Sequence, residues 1–303
     1  MTEPTFHAGF VSVMGRPNVG KSTLINALMG QKIAAVSPRP QTTRQQQLGI
    51  ITTDEMQLIF IDTPGLHKAH HKLGEYMNAE AAASIIESDV ILFLVEASEN
   101  PPHEEDHILV ELLGEIKNPP PVVLAVNKID RLKADEVDER MAVYQGLLPE
   151  AKILPISAAT GEGLETLLEI LRGYLPEGDY FFPEDQITDL YEKEIAADLI
   201  REACLLILRD EVPHSLAVRI DEFTERGEKG AYISATLFVE RDSQKGIVIG
   251  KEGSMLKLIG THARQAIETM SGRKVFIRLR VKVRKNWRND ETSLRRFGFQ
   301  SKK

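Results

Sequence analysis

The stretch Gly15-Arg16-Pro17-Asn18-Val19-Gly20-Lys21-Ser22-Thr23 decides how the first half of this chain is read. From Gly15 to Ser22 it matches G-x-x-x-x-G-K-[ST], between an apolar run at 10–14 and a helix-forming segment at 22–29. A glycine-rich turn in that place lets backbone N–H groups turn inward around phosphates. The helix start adds positive potential, Lys21 reaches the β- and γ-phosphates, and the Ser22 hydroxyl is suited to Mg²⁺. Gly15, Arg16, Pro17, Asn18, Val19, Gly20, Lys21, Ser22 and Thr23 are therefore the candidate phosphate contacts.

Outward from that loop, apolar segments alternate with helical ones. Strands are expected near 57–61, 90–95, 122–126 and 153–156, and helices near 75–87, 107–115, 137–147 and 164–174. Fully apolar strands alternating with helices predict a mainly parallel sheet covered on both faces. Three further motifs fall at the ends of these strands. In Asp62-Thr63-Pro64-Gly65, Asp62 is expected to hold Mg²⁺ through water and the Gly65 N–H to meet the γ-phosphate. Alone, such a sequence is a common turn. In Asn127-Lys128-Ile129-Asp130, Asp130 can accept from both N1–H and the N2 amino group of guanine. Adenine lacks that donor pair, so the motif selects GTP over ATP, a discrimination that can reach about 10⁴. Asn127 braces the base and Lys128 lies along its plane. Ser157-Ala158-Ala159 supplies a backbone N–H for the guanine oxygen.

In this order the motifs resemble the translation-factor-related GTPases over residues 8–175. The resemblance implies that Gln41-Thr42-Thr43-Arg44 is the first switch. Thr43 then holds Mg²⁺ and senses the γ-phosphate, with Thr42 the runner-up. Leu66 stands where many small GTPases carry the Gln that orients the attacking water. The chain thus resembles the hydrophobic-substituted members, and slow turnover without a trigger is expected. Asn18 matches the position that binds K⁺ in potassium-stimulated members, which makes K⁺ a candidate cofactor beside Mg²⁺.

The pattern changes near residue 175. Residues 176–186 carry Pro, Gly, Asp and aromatics without a period, so the expected division is 1–177, a linker over 178–187, and 188–303. A helix at 188–209, strands at 216–224 and 231–240 around a turn at 226–230, a short helix, a helix at 254–270 and a strand at 274–284 follow. Gly250-Lys251-Glu252-Gly253 sits between the last two helices. Alone this motif is weak, but the element order resembles a type II KH domain, whose loop clamps a single-stranded backbone between glycines. The last strand alternates Arg278, Arg280, Lys282 and Arg284 with Ile277, Leu279, Val281 and Val283. Period two puts cations on one face and apolar groups in the core. Ile247, Ile249 and Leu256 are candidate groove members, while Trp287 and Cys204 read as core. His67, His70 and His71 read as loop histidines and not as a metal cluster. The fold class is therefore α/β: a P-loop GTPase domain with a mainly parallel sheet, followed by an α+β type II KH domain.

Composition agrees. At about 150 residues per domain, 303 residues suit two domains. A hydrophobic share of 42% with 27% charged residues excludes a disordered chain. The single Cys204, the lack of a basic, then apolar N-terminus and the lack of an apolar run of about 18 residues give a cytoplasmic expectation. From Lys245 onward there are 16 Lys and Arg against 4 Asp and Glu, net +12, while residues 1–244 carry −20. Only the basic end is suited to a polyanion.

A GTPase of this type joined to a C-terminal KH domain resembles the Era family over nearly the whole chain. That resemblance implies binding of GTP and GDP and hydrolysis of GTP. It also implies single-stranded rRNA at the 3′ end of 16S rRNA and the small ribosomal subunit as partners, in subunit maturation. The residues alone reach single-stranded RNA. Two alternatives stay open: a GTP-regulated scaffold on tRNA or membrane, with weak peripheral contact at the inner membrane, and a nucleotide-gated binder with negligible turnover.

Overall fold

Strands with no polar face need cover on both sides. The computed structural model, which describes residues 5–39, 41–65, 69, 71–98, 101–225 and 230–299, builds its first unit around such strands. They are β1 (His7–Met14), β2 (Gln47–Thr52), β3 (Met56–Asp62), β4 (Val90–Glu96), β5 (Val122–Asn127) and β6 (Lys152–Pro155). The sheet order is β2-β3-β1-β4-β5-β6, parallel throughout except for β2 against β3. Every residue of β3 and β4 is buried. Helices α1 (Lys21–Met29), α2 (Lys72–Ile86), α3 (Glu104–Gly114), α4 (Ala134–Leu147) and α5 (Leu164–Arg172) alternate with the strands. Phe93, Val95 and Leu124 meet Leu109, Leu113 and Tyr144 in one core. The parallel connections bring the loops after β1, β3, β5 and β6 to one edge, where open α/β sheets bind ligands.

The Cα trace separates into two compact units, Met1–Gln31, Thr43–Lys68 and Met77–Asp189 in one, and Lys32–Thr42, Ala69–Tyr76 and Leu190–Lys303 in the other. The segment read as a linker, 178–187, goes with the first unit. The buried Gln57 side chain holds it, donating to Phe182 O at 2.9 Å and accepting from Phe181 N at 2.8 Å. Ile50 N–H donates to Ile187 O at 2.9 Å.

The second unit contains α6 (Glu192–Ile207), β7 (Ala217–Glu225), β8 (Ala231–Val239), α7 (Asp242–Ile249), α8 (Ser254–Ser271), β9 (Val275–Val283) and α9 (Glu291–Arg296). Its sheet runs β7-β8-β9, with β7 antiparallel and β9 parallel to β8. The core sets Leu199, Ala203 and Cys204 of α6 against Ile233, Ala235 and Leu237 of β8 and Ile259, Ala263 and Ile267 of α8. Trp287 is fully buried, and its indole N–H donates to Ser215 O at 2.7 Å. α6 starts four residues later than the expected 188, because Glu194 reaches back to the Tyr191 N–H at 2.9 Å and caps the helix there.

Candidate functional site

The loop after β1 enters α1 through Gly20, whose φ is +108°. A Cβ there would stand 2.4 Å from Asn127 Nδ2, so only glycine fits. Lys21 opens the helix, is 7% exposed, and donates from Nζ to Gly15 O at 2.8 Å and Arg16 O at 3.0 Å. Burial pushes its amine down to about 8, against the opposing pull of Asp62. Gly65 closes against this loop: a Cβ on it would lie 3.2 Å from Pro17 N and 3.3 Å from Lys21 Nζ.

Asp62 ends β3 fully buried. Its Oδ2 accepts from Ser22 Oγ at 3.0 Å, Thr43 Oγ1 at 3.2 Å and Gln47 Nε2 at 3.3 Å. Ser22 Oγ and Thr43 Oγ1 are 2.9 Å apart. Oδ1 has no hydrogen-bond partner among the described residues, and burial raises the carboxyl pKa even against Lys21 and these hydroxyls. A buried carboxylate with an unmatched oxygen, beside two hydroxyls, is a set of hard oxygen donors that suits Mg²⁺. The residues therefore fit the ion. Thr42, the alternative to Thr43, stays in its own loop, donating to Arg39 O at 2.8 Å and lying 3.0 Å from Ser37 Oγ. Leu66, His67 and His70 lie outside the described residues. His71 Nδ1 accepts from Gly74 N–H at 3.0 Å at the start of α2. Among the described residues no three His, Cys, Asp or Glu side chains are placed to share a metal.

At the other end, Asn127 ties three loops together. Its Nδ2 donates to Val19 O at 2.8 Å, and its Oδ1 accepts from Ala158 N–H at 2.9 Å. Of the three residues 157–159 expected to offer a backbone N–H to the guanine oxygen, Ala158 gives its own to the buried amide. Lys128 Nζ donates to Asn18 O at 2.8 Å, with both residues in left-handed backbone. Ser157 Oγ donates to Asp130 Oδ1 at 2.6 Å and fixes the carboxylate that is suited to guanine. The sequence reading missed Glu96, which ends β4 3% exposed and meets Lys128 Nζ at 2.7 Å. Its signal was an acid closing an otherwise apolar run.

In the second unit, Gly250 follows α7 at φ +71°, a 3-10 turn spans Lys251–Gly253, and Gly253 caps α8. A Cβ on Gly250 would strike Met255 Cβ at 2.7 Å, whereas one on Gly253 would meet nothing within 4 Å. The Gly253 side is therefore open to a close backbone approach. Beside it lies a groove of about 490 Å³ between α8 and β9, with Leu256, Gly260, Ile277 and Leu279 inside and Lys257, Arg264 and Arg278 around it. Of the expected groove members, Leu256 lines it. Ile247 is half exposed elsewhere, and Ile249 does not line it. Of the four alternating cations only Arg278 lines it. Arg280 and Lys282 are exposed further along β9, and Arg284 is bonded to Ser293 Oγ at 2.8 Å and Asp290 Oδ2 at 3.2 Å. Lys257 and Arg264 went unnoticed, although 253, 256, 257, 260, 261 and 264 share one helical face.

Residues 10–128 match the family described as 50S ribosome-binding GTPase, and residues 211–288 match the KH domain. GTPase Era of Geobacter metallireducens is 48% identical over 300 residues, 99% of this chain and 100% of that protein. GTPase Era of Ruminiclostridium cellulolyticum is 48% identical over 299 residues, 99% of each. The crystal structure of Era in complex with MgGDPNP and nucleotides 1506–1542 of 16S ribosomal RNA superposes with a TM-score of 0.91 at 39% identity, covering 97% of this chain and 99% of that one. A variant of Aquifex aeolicus Era bound to GDP·AlF₄⁻ gives the same score, identity and coverage. With both modules matched in order and kinship running the full length, this chain belongs to the GTPase Era family.

Proposed function

We propose that this GTPase is a nucleotide switch on single-stranded rRNA, near the 3′ end of 16S rRNA, acting in the cytoplasm in maturation of the small ribosomal subunit. The observation that carries the reading is the open groove beside Gly250–Gly253, in one chain with a complete set of guanine-nucleotide motifs. A related Era holds both MgGDPNP and a 16S rRNA segment, which supports the same pair of ligands here.

The chain's own residues supply binding and orientation. The α1 start and Lys21 face the phosphates, and Asp130, held by Ser157, selects guanine. Ser22, Thr43 and, through water, Asp62 would hold Mg²⁺. When bound, the ion neutralises charge on the β- and γ-phosphate oxygens. A γ-phosphate would order Thr43 and the Gly65 N–H, and that ordering would distinguish GTP from GDP. Leu66 has no group to orient water, so turnover is slow until RNA, or K⁺ at Asn18, supplies a trigger. Equal rates in Na⁺ and K⁺ at fixed ionic strength would remove K⁺ from the account. The basic C-terminal segment also supports weak contact with anionic inner-membrane lipid, which flotation with vesicles tests. Among the described residues no helix is long and apolar enough to cross a membrane.

The double substitution Lys251→Asp, Gly253→Asp tests the RNA site. Acids at an open backbone approach repel phosphates, so affinity for a single-stranded 3′ rRNA oligonucleotide should fall by about 100-fold while GDP affinity holds. Anisotropy titrations with a non-hydrolysable GTP analogue and with GDP read both the site and the switch. Unchanged RNA affinity in the variant refutes the site. Equal affinities in the two nucleotide states of the unsubstituted protein refute the switch.

A further inference from the structure

Binding and hydrolysis as described above give no role to Glu96, the most heavily engaged carboxylate near the nucleotide loops. It lies at the end of β4, opposite Asn127 in the β4–β5 register. Oε2 meets Lys128 Nζ at 2.7 Å and Arg16 Nη2 at 3.4 Å. Oε1 accepts from Ser98 Oγ at 2.6 Å, and Arg131 Nη1 stands 3.9 Å away. Arg16 and Lys128 come from different motifs, the phosphate loop and the guanine loop. Among the described residues no other carboxylate meets both.

A second layer fixes this group from below. The Tyr144 hydroxyl donates to Glu96 O at 3.0 Å and contacts Asp106 Oδ2 at 3.4 Å. Asp106 stands 3.8 Å from Arg16 Nε and caps α3 through the His103 N–H at 3.1 Å. Burial works to raise the Glu96 pKa. The hydrogen bonds from Lys128 and Ser98 and the nearby charges outweigh it and hold the group below the usual carboxylate range. Asp106 moves the other way, raised by its burial. Glu96 is therefore the member of the pair whose charged form its surroundings favour, and it lies between two cations from different loops.

We propose that Glu96 is a positioning residue for guanine-nucleotide retention: its carboxylate locks Arg16 of the phosphate loop and Lys128 of the guanine loop in one register, so that phosphates and base are gripped together. Lys128 Nζ reaches both Glu96 and Asn18 O, so the clamp closes back onto the phosphate loop it holds. The inference rests on the nucleotide site assigned above. Failure of that assignment would show separately, as no retention of GDP by the unsubstituted protein.

The clamp binds ground state and transition state alike, so its loss should appear in dissociation and not in the chemical step. Glu96→Gln keeps the size and removes the charge. Displacement of a fluorescent GDP by excess GDP, followed by stopped flow on the full chain, should then be about 10- to 100-fold faster, in the range for losing a group that orients a ligand-binding residue. The fluorescent GTP analogue should speed up by the same factor. Single-turnover hydrolysis at saturating GTP should stay within about twofold. Glu96→Asp keeps the charge on a shorter arm and should restore part of the retention. Ser98→Ala touches neither loop and should give a small effect in the same direction. Unchanged GDP dissociation in folded Glu96→Gln overturns the proposal, as does a fall in single-turnover rate with retention intact. Should Glu96→Gln fail to fold, unchanged dissociation in both Glu96→Asp and Ser98→Ala overturns it equally.

Discussion

Asn127 and Gly20 should be strongly coupled, and the size of the coupling can be worked out from their geometry. Asn127→Ala removes the bonds to Val19 O and Ala158 N, on residues 0% and 5% exposed. Each buried backbone group left unmatched costs about 1–3 kcal/mol, so the single change should cost about 4 kcal/mol. Gly20→Ala places Cβ 2.4 Å from Asn127 Nδ2, with φ at +108°. The backbone conformation alone costs about 1–2 kcal/mol for a residue with a side chain. Asn127 is 2% exposed and bonded at both ends, so it can move aside only by giving up some of the same bonds. In the double variant that clash has no object, and only the backbone cost is added to the loss of Asn127. The double variant should therefore be at least about 2 kcal/mol more stable than the sum of the singles predicts. Urea unfolding of the nucleotide-free protein, followed by far-UV circular dichroism, measures this, with Trp287 fluorescence as a reference from the second unit. Additivity within about 0.5 kcal/mol would mean that the amide is not displaced and would refute the reasoning.

Asp130→Asn exchanges an acceptor for a donor and should move preference from guanine toward xanthine nucleotides, read by competition between GDP and XDP; retained guanine preference refutes the role of Asp130. Arg278→Ala should weaken single-stranded RNA binding and reduce the salt slope by about one, whereas Arg280→Ala should do much less. Equal effects would show that RNA does not lie in the groove between α8 and β9. Cys204 is fully buried and its thiol is pushed up to about 12 by desolvation. At pH 8 only about one thiol in 10⁴ is ionised, so iodoacetamide should label the unfolded chain and leave the native one untouched. Native-state labelling at the rate of a free thiol would contradict the burial of α6.

What the sequence disclosed and what it withheld divide along the range of the interactions. The nucleotide motifs were legible because each is a local backbone device at the end of an apolar strand, and their order repeats the order of the strands. β2 was missed because Gln47 and Gly49 interrupt its apolar run, and it is held mainly by pairing with β3. α9 was missed because it is six residues long and depends on a cap, the Asp290 side chain accepting from Ser293 N–H at 3.0 Å. Thr42 and Thr43 are adjacent and chemically identical, so only the family resemblance ranked Thr43 first. The fold chooses by turning Thr43 toward Ser22 and Asp62. The attachment of 178–187 to the first unit was hidden too, since it depends on Gln57 more than 120 residues earlier in the chain.

The cations of β9 show where a correct periodicity still misleads about function. Period two separates Arg278, Arg280, Lys282 and Arg284 from Ile277, Leu279, Val281 and Val283, and the latter pack against the core as expected. Parity alone says nothing about position along the strand, and the groove opens only near its start. β9 is an edge strand, so Arg278 reaches the groove mouth despite sharing its parity with the outward-facing cations. Lys257 and Arg264 line the same groove from α8. A phosphate backbone lying there would be held between two elements, with Ile277 and Leu279 beneath the bases. The remaining cations have other surroundings: Arg284 fastens Asp290 and Ser293, and Lys282 adds to the field at Asp221. That carboxyl is kept below the usual range, against its burial, mainly by Thr236 and Arg219. The net charge of +12 from Lys245 onward therefore overstates what the groove presents to RNA. Under the proposed function, recognition there would rest on Lys257, Arg264 and Arg278 around an apolar cleft and on a glycine turn that leaves room for a backbone.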